Sequence, residues 1–169
     1  IKLINRIIEG VDDVNRADKE GWTPLLFAVE KGSVEMVEKL IAAGAKVDMA
    51  DHNGVTPLLI AVVKSHGTIV EKLIAAGADV DCASKNDGFT PLIIADGKAD
   101  IGIVKQLIAA GADVNKADHN GATPLLFAVG LCSVEMVKQL IAAGAKVDMA
   151  DNDGITPLYR AAINGSVKI

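Results

Sequence analysis

The sequence predicts an all-α solenoid of stacked helix-turn-helix units, and three observations carry that prediction. Thr-Pro-Leu occurs five times, starting at Thr23, Thr56, Thr90, Thr123 and Thr156, at spacings of 33, 34, 33 and 33 residues. A second marker, Ala-Ala-Gly-Ala, ends at Ala45, Ala78, Ala112 and Ala145 and keeps the same period. Half of the 169 residues are apolar but only 3% are aromatic, so the core has to come from many small, close-packed helices. Self-similarity at a fixed period of this length marks an architecture whose units bury their apolar faces on their neighbours.

In chain order, residues 1–21 align without a gap on residues 34–54, so residues 1–17 read as the second helix of a partial unit. Full units follow at 18–50, 51–83, 84–117 and 118–150, and 151–169 is a second partial unit, the whole forming one array. Residues 18–50 show how each unit is built. Asp18-Lys19-Glu20-Gly21 is turn chemistry, with Asp bonding nearby backbone and Gly taking the strained angle. Thr23 is a good N-cap and Pro24 suits the first helical position, so a short helix runs from Leu25 to about Lys31. Gly32 breaks it, and Ser33 is placed to cap a second helix. Val34, Val37, Leu40 and Ile41 give that helix one apolar stripe, with Glu35, Glu38 and Lys39 off it. Gly44 is placed to end it in a left-handed cap. Helices this short are marginal alone and need neighbours. The one extra residue of the array falls in Ser84-Lys85-Asn86-Asp87-Gly88, where the other units have Asp-x-x-Gly and where extra length is cheap.

A 33-residue unit of turn, helix, turn and helix carrying Thr-Pro-Leu resembles the ankyrin repeat, and the resemblance covers the whole chain. It implies an ankyrin-repeat solenoid whose units are joined by β-hairpin-like turns and which curves around a concave groove. The chain departs from the family in two places. Family members usually have His after Thr-Pro-Leu, a residue that helps tie successive loops by hydrogen bonds. Here the position holds Leu26, Leu59, Ile93, Leu126 and Tyr159, so apolar contact is expected to replace the tie and to hold the loops less tightly. The glycine between the helices, Gly32, becomes Ser65, Ala99 and Cys132 before returning as Gly165. Asp96, Gly97 and Gly102 weaken the helices of residues 84–117, which are expected to form the softest repeat. At the two ends Ile4, Ile7, Ile8, Leu158 and Ile163 are expected to be partly uncovered, and end-to-end self-association through these uncapped repeats follows as an expectation. Residues 23–51 and 123–151 are identical except at positions 30, 31, 32, 38 and 39, the trace of an internal duplication.

Catalytic and cofactor chemistry is not expected. His52 and His119 occupy the same turn position two repeats apart, and with helix layers spaced roughly 8–10 Å they should lie roughly 20 Å apart. A shared zinc ion needs ligands at about 2 Å. His66 sits between two helices, away from the turn tips. Cys82 and Cys132 have no Cys-x-x-Cys neighbour, and two cysteines make no disulfide framework, which points to a reducing, intracellular and cytoplasmic setting. Asp18, Asp51, Asp118 and Asp151 recur once per repeat, as do Asn15, Asp48, Asp81, Asn115 and Asp148. A catalytic carboxylate pair needs a separation of about 5–10 Å and two distinct environments, whereas identical environments down an array describe structure. Phosphate-loop, nucleophile-elbow and zinc-protease motifs are absent from the sequence. A net charge of -5 argues against nucleic acid and anionic membranes as partners.

The resemblance implies binding through the turn tips and the exposed face of each first helix. The residues before Thr-Pro-Leu are Trp22, Val55, Phe89, Ala122 and Ile155, an apolar row. The first-helix row is Glu30-Lys31, Val63-Lys64, Gly97-Lys98, Gly130-Leu131 and Ile163-Asn164. Trp22 and Phe89 are the candidate anchors, because aromatics in such places are frequent hot spots. Lys19, Lys31, Lys64, Lys85 and Lys98 add positive charge on this side of an acidic protein, so the expected partner is a protein or peptide with acidic and apolar character. The alternative is a structural spacer within a larger ankyrin protein whose activity, enzymatic or other, lies outside this chain.

Overall fold

The computed structural model describes residues 13–165. Ile4, Ile7 and Ile8 lie outside the described residues. Two compact bodies divide the chain, Ile1–Asp79 and Val80–Ile169. Among the described residues there are nine α-helices and no strand. The N-terminal body contains α1 (Pro24–Glu30), α2 (Val34–Ala42), α3 (Pro57–Val63) and α4 (Gly67–Ala75). The C-terminal body contains α5 (Pro91–Gly97), α6 (Ile101–Ala109), α7 (Pro124–Gly130), α8 (Val134–Ala142) and α9 (Pro157–Ile163).

The Thr-Pro pair starts every first helix as the sequence predicts. Thr23 Oγ1 accepts from the Leu26 N–H at 3.3 Å, and Thr56, Thr90, Thr123 and Thr156 repeat the bond at 3.2–3.3 Å. Each proline fills a first-turn position whose N–H would have no helical partner. The second helices bury one stripe each: Val37 and Leu40 on α2, Ile69, Val70 and Leu73 on α4, Ile103, Val104 and Leu107 on α6, and Met136, Val137 and Leu140 on α8. Gly44 ends α2 at φ +86°. There the Ala45 N–H reaches back to the Leu40 carbonyl at 3.0 Å.

Within the N-terminal body α1 packs on α2 and α3, and α4 packs on both α2 and α3. Within the C-terminal body α5 packs on α6 and α7, and α7 on α8 and α9.

Two sequence expectations change, and one replacement noted in the sequence gains a backbone description. Ser33 makes no side-chain cap bond, whereas Asp100 at the same position of α6 accepts from the Ile103 N–H at 3.1 Å. The longer Asp side chain spans a gap that serine does not. The loops are tied by hydrogen bonds, not by apolar contact alone. His52, His119 and Asn152 donate their backbone N–H to the preceding turn, at the carbonyls of Glu20, Asp87 and Asn120, at 3.4, 2.9 and 2.9 Å. The row Asn15, Asp48, Asp81 and Asn115 adds a second ladder. Each side-chain oxygen accepts from a backbone N–H in the next repeat, on Lys46, Asp79, Asp113 and Lys146, at 2.8–3.0 Å. Finally, the junction between helices keeps its left-handed turn without glycine: φ is +56° at Ser65 and +55° at Ala99 and Cys132. Left-handed backbone costs an L-residue roughly 1–2 kcal/mol.

Asp96 is the main anomaly of the core. It stands on α5 where Val29, Val62 and Val129 stand on α1, α3 and α7, and like them it is buried, at 1% exposure. Neither carboxylate oxygen has a hydrogen-bond partner. Burial pushes its pKa up to about 7.

Candidate functional site

The turn tips are preorganised by an aspartate. Asp18 Oδ1 accepts from the backbone N–H of Glu20 and of Trp22, at 3.0 and 2.7 Å, and the Asp18 N–H donates to the Trp22 carbonyl at 3.0 Å. Asp51 holds Val55, Asp118 holds Ala122 and Asp151 holds Ile155 in the same way, at 2.8–2.9 Å from the tip N–H. Ser84 takes the aspartate's place in the lengthened turn, and Asp87 supplies the carboxylate, accepting from the Phe89 N–H at 3.0 Å and from the Ser84 hydroxyl. These bonds satisfy the turn backbone and fix the direction in which each tip side chain leaves it.

In the N-terminal body the half-buried Trp22 ring lies 5.0 Å from the Phe27 ring, tilted by 50°. Phe27, on the outer side of α1, is 47% exposed. Val63, at the end of α3, is also largely exposed, and Val55 is half-buried. Lys19 and Lys31 are exposed. Glu30 and Lys64, both expected on the binding face, are joined to each other at 2.7 Å. Their charges largely cancel, so Lys64 adds little to a positive surface.

In the C-terminal body Phe89 meets Phe127 edge-on, with centroids 5.6 Å apart and planes at 85°. A hollow of about 210 Å³ lies beside this pair, lined by Ala122, Leu126, Phe127, Gly130, Leu131 and Arg160. Leu131 is half out of water, Ile155 is half-buried and Lys98 is exposed. Arg160 lies 3.7 Å from Asp151.

The sequence singles out Trp22 and Phe89 as candidates but not the rings they meet, Phe27 and Phe127. Phe27 and Phe127 stand at the same place in two first helices, four residues after the capping threonine. That recurrence was the available signal, and Phe27 reads instead as part of an apolar helix. His52 and His119 are exposed on turns of different bodies, and His66 is half-buried. Among the described residues no group of three or more His, Cys, Asp or Glu could hold a metal ion. No helix among them is long and apolar enough to cross a membrane.

A search among curated proteins finds no match. The family model described as ankyrin repeats (3 copies) matches residues 1–84 and 92–169. Such repeats are generally protein–protein interaction modules and typically non-catalytic. The period, the capped first helices, the glycine-ended second helices and this match agree, and the chain belongs to the ankyrin repeat family.

Proposed function

We propose that this chain is a non-catalytic scaffold that binds a protein or peptide through its turn tips and first-helix faces. The observation that carries the reading is the Trp22–Phe27 pair, with Phe27 47% exposed beside a turn whose backbone bonds are already made. A ring held half out of water by a rigid turn can bury apolar area on a partner at little ordering cost. The Phe89–Phe127 pair and Leu131 offer the same chemistry in the C-terminal body. Exposed Lys19, Lys31 and Lys98 match a partner with acidic side chains among its apolar ones. An intracellular, cytoplasmic setting belongs to the proposal, because two cysteines are too few for a disulfide framework.

The test has two steps. The immobilised chain is exposed to lysate of its source, and a retained protein is identified and purified. That protein is then titrated against the native chain, a Trp22→Ala/Phe89→Ala variant and a Phe27→Ala variant. Weakening by about tenfold or more in each variant is expected for anchor residues. Equal affinity in all three, or nothing retained by a folded chain, supports the spacer reading.

A further inference from the structure

A ring on a turn tip lies against a first helix in one of two ways. Trp22 meets Phe27 on the first helix of its own repeat, and Phe89 meets Phe127 on the first helix of the following one. Phe27 follows Trp22 by 5 residues, and Phe127 follows Phe89 by 38. Counted from the tip residue Ala122, the same two steps reach Phe127 and Arg160. Among these three residues lies the hollow of about 210 Å³, with Leu126, Gly130 and Leu131 completing its lining. A methyl group thus stands at this tip where Trp22 and Phe89 carry rings, and the space beside it is open. Its walls, the turn, α7 and α9, all belong to the C-terminal body and to the described residues. The hollow is smaller than the roughly 300–1,000 Å³ of a small-molecule site and suits one side chain.

Its walls favour an aromatic ring with a carboxylate beside it. Phe127 is half-buried and already takes one ring edge-on, from Phe89. Leu131, 51% exposed, adds an apolar wall. Arg160 supplies charge. Its Nε is buried without a hydrogen-bond partner, and its Nη2 stands 3.7 Å from Asp151 Oδ2, beyond hydrogen-bond reach. A guanidinium has five N–H donors in a planar fork and can grip a carboxylate with two of them. The near-identical unit 100 residues earlier differs at these points. There Glu30 and Lys64 pair with each other, and Ile60, 5% exposed, stands in the place of Arg160. In the C-terminal body Gly130 and Asn164 replace that ion pair, so α7 carries no carboxylate to compete for Arg160.

We infer that this hollow takes the aromatic side chain of a partner peptide whose neighbouring Asp or Glu pairs with Arg160. This rests on the scaffold role proposed above and gives the partner's chemistry at one point of it. The ring fills the space that Ala122 leaves and packs on Phe127, as the chain's own Trp22 and Phe89 pack at their tips. The carboxylate meets the guanidinium donors that Asp151 does not reach.

An NMR titration of the isotopically labelled full chain with the capped peptide Gly-Glu-Trp-Glu-Gly tests this. Saturable shifts are expected at the amides of Ala122, Gly130 and Leu131. Gly-Gln-Trp-Gln-Gly is expected to bind about fivefold more weakly, and Gly-Glu-Ala-Glu-Gly at least about tenfold more weakly. Ala122→Trp rebuilds the ring that Trp22 places on Phe27 and is expected to weaken binding at least about tenfold, with circular dichroism checking the fold. Arg160→Gln is expected to remove the preference for Glu over Gln and to keep the preference for Trp over Ala. No saturable shift at these amides, equal affinity for the Trp and Ala peptides, or a preference for Glu that survives Arg160→Gln overturns the inference. So does binding that survives in a folded Ala122→Trp variant. The scaffold role stands or falls separately, on whether a captured partner loses affinity with Phe27→Ala, because Phe27 lies in the other body.

Discussion

Residues 18–50 and 84–117 make the same repeat from unequal materials. Both start a first helix on a threonine cap and end a second helix on a left-handed glycine. At the core position of the first helix one has Val29 and the other Asp96, both at or below 1% exposure. At the junction one has Gly32 and the other Ala99, both left-handed. The first carries no helical glycine, the second has Gly97 and Gly102. The difference teaches that in a solenoid the stack imposes the backbone, and a poor local sequence is carried by its neighbours at a cost in stability. Substitutions that exchange these features test that lesson.

The largest effect belongs to Asp96. Its folded pKa of about 7 lies above the ordinary carboxylate value, so the folded state binds the proton more tightly than the unfolded chain. Stability is therefore least penalised below about pH 4, falls as pH rises to about 7, and is level above. The spread between those limits, about three pH units, corresponds to on the order of 4 kcal/mol. Asp96→Val should raise stability at pH 8 by about that amount, with the gain shrinking as pH falls to 4. Asp96→Asn should flatten the pH dependence. Urea melts at the two pH values check both, and a gain independent of pH contradicts the assignment.

The junction comes next. Ala99→Gly should stabilise by about 1 kcal/mol, because glycine takes the left-handed turn without penalty. Gly32→Ala should do the reverse and cost more, since the added methyl would stand 3.0 Å from the His66 ring. Melts of the pair should move in opposite directions.

Smaller again are the helical glycines. A Cβ at Gly97 meets nothing within 4 Å, and one at Gly102 makes only an ordinary 3.4 Å contact with Asp100 Oδ1. Alanine at each should add about 0.5–1 kcal/mol. The Glu30–Lys64 pair is the smallest: a double-mutant cycle should give under about 1 kcal/mol, lost in high salt.

What was legible in the sequence is what local chemistry decides. Thr23, Pro24 and Gly44 act within a few residues of themselves, so caps, helix limits and the repeat frame could be read directly. The left-handed junction could be expected from Gly32, but its survival at Ser65, Ala99 and Cys132 depends on the stack. The bonds from Asp48 and Asp81 reach 31 and 32 residues along the chain, and the aspartates read only as turn residues until packing brought repeats together. The candidate site was half legible for the same reason. Trp22 and Phe89 stand at tips that the period numbers, whereas their neighbours Phe27 and Phe127 are distinguished only by which side of a first helix faces water. Asp96 could be seen as a weak helix residue but not as an unpartnered carboxylate in the core.

Native-state hydrogen exchange tests the central claim most directly, by comparing the free energies of opening of residues 91–109 and 24–42 at pH 8 and pH 5. The account predicts that 91–109 opens more readily at pH 8, that the gap narrows at pH 5, and that Asp96→Val closes it. Equal protection of the two segments at pH 8, or a gap that neither pH nor the substitution moves, would contradict it.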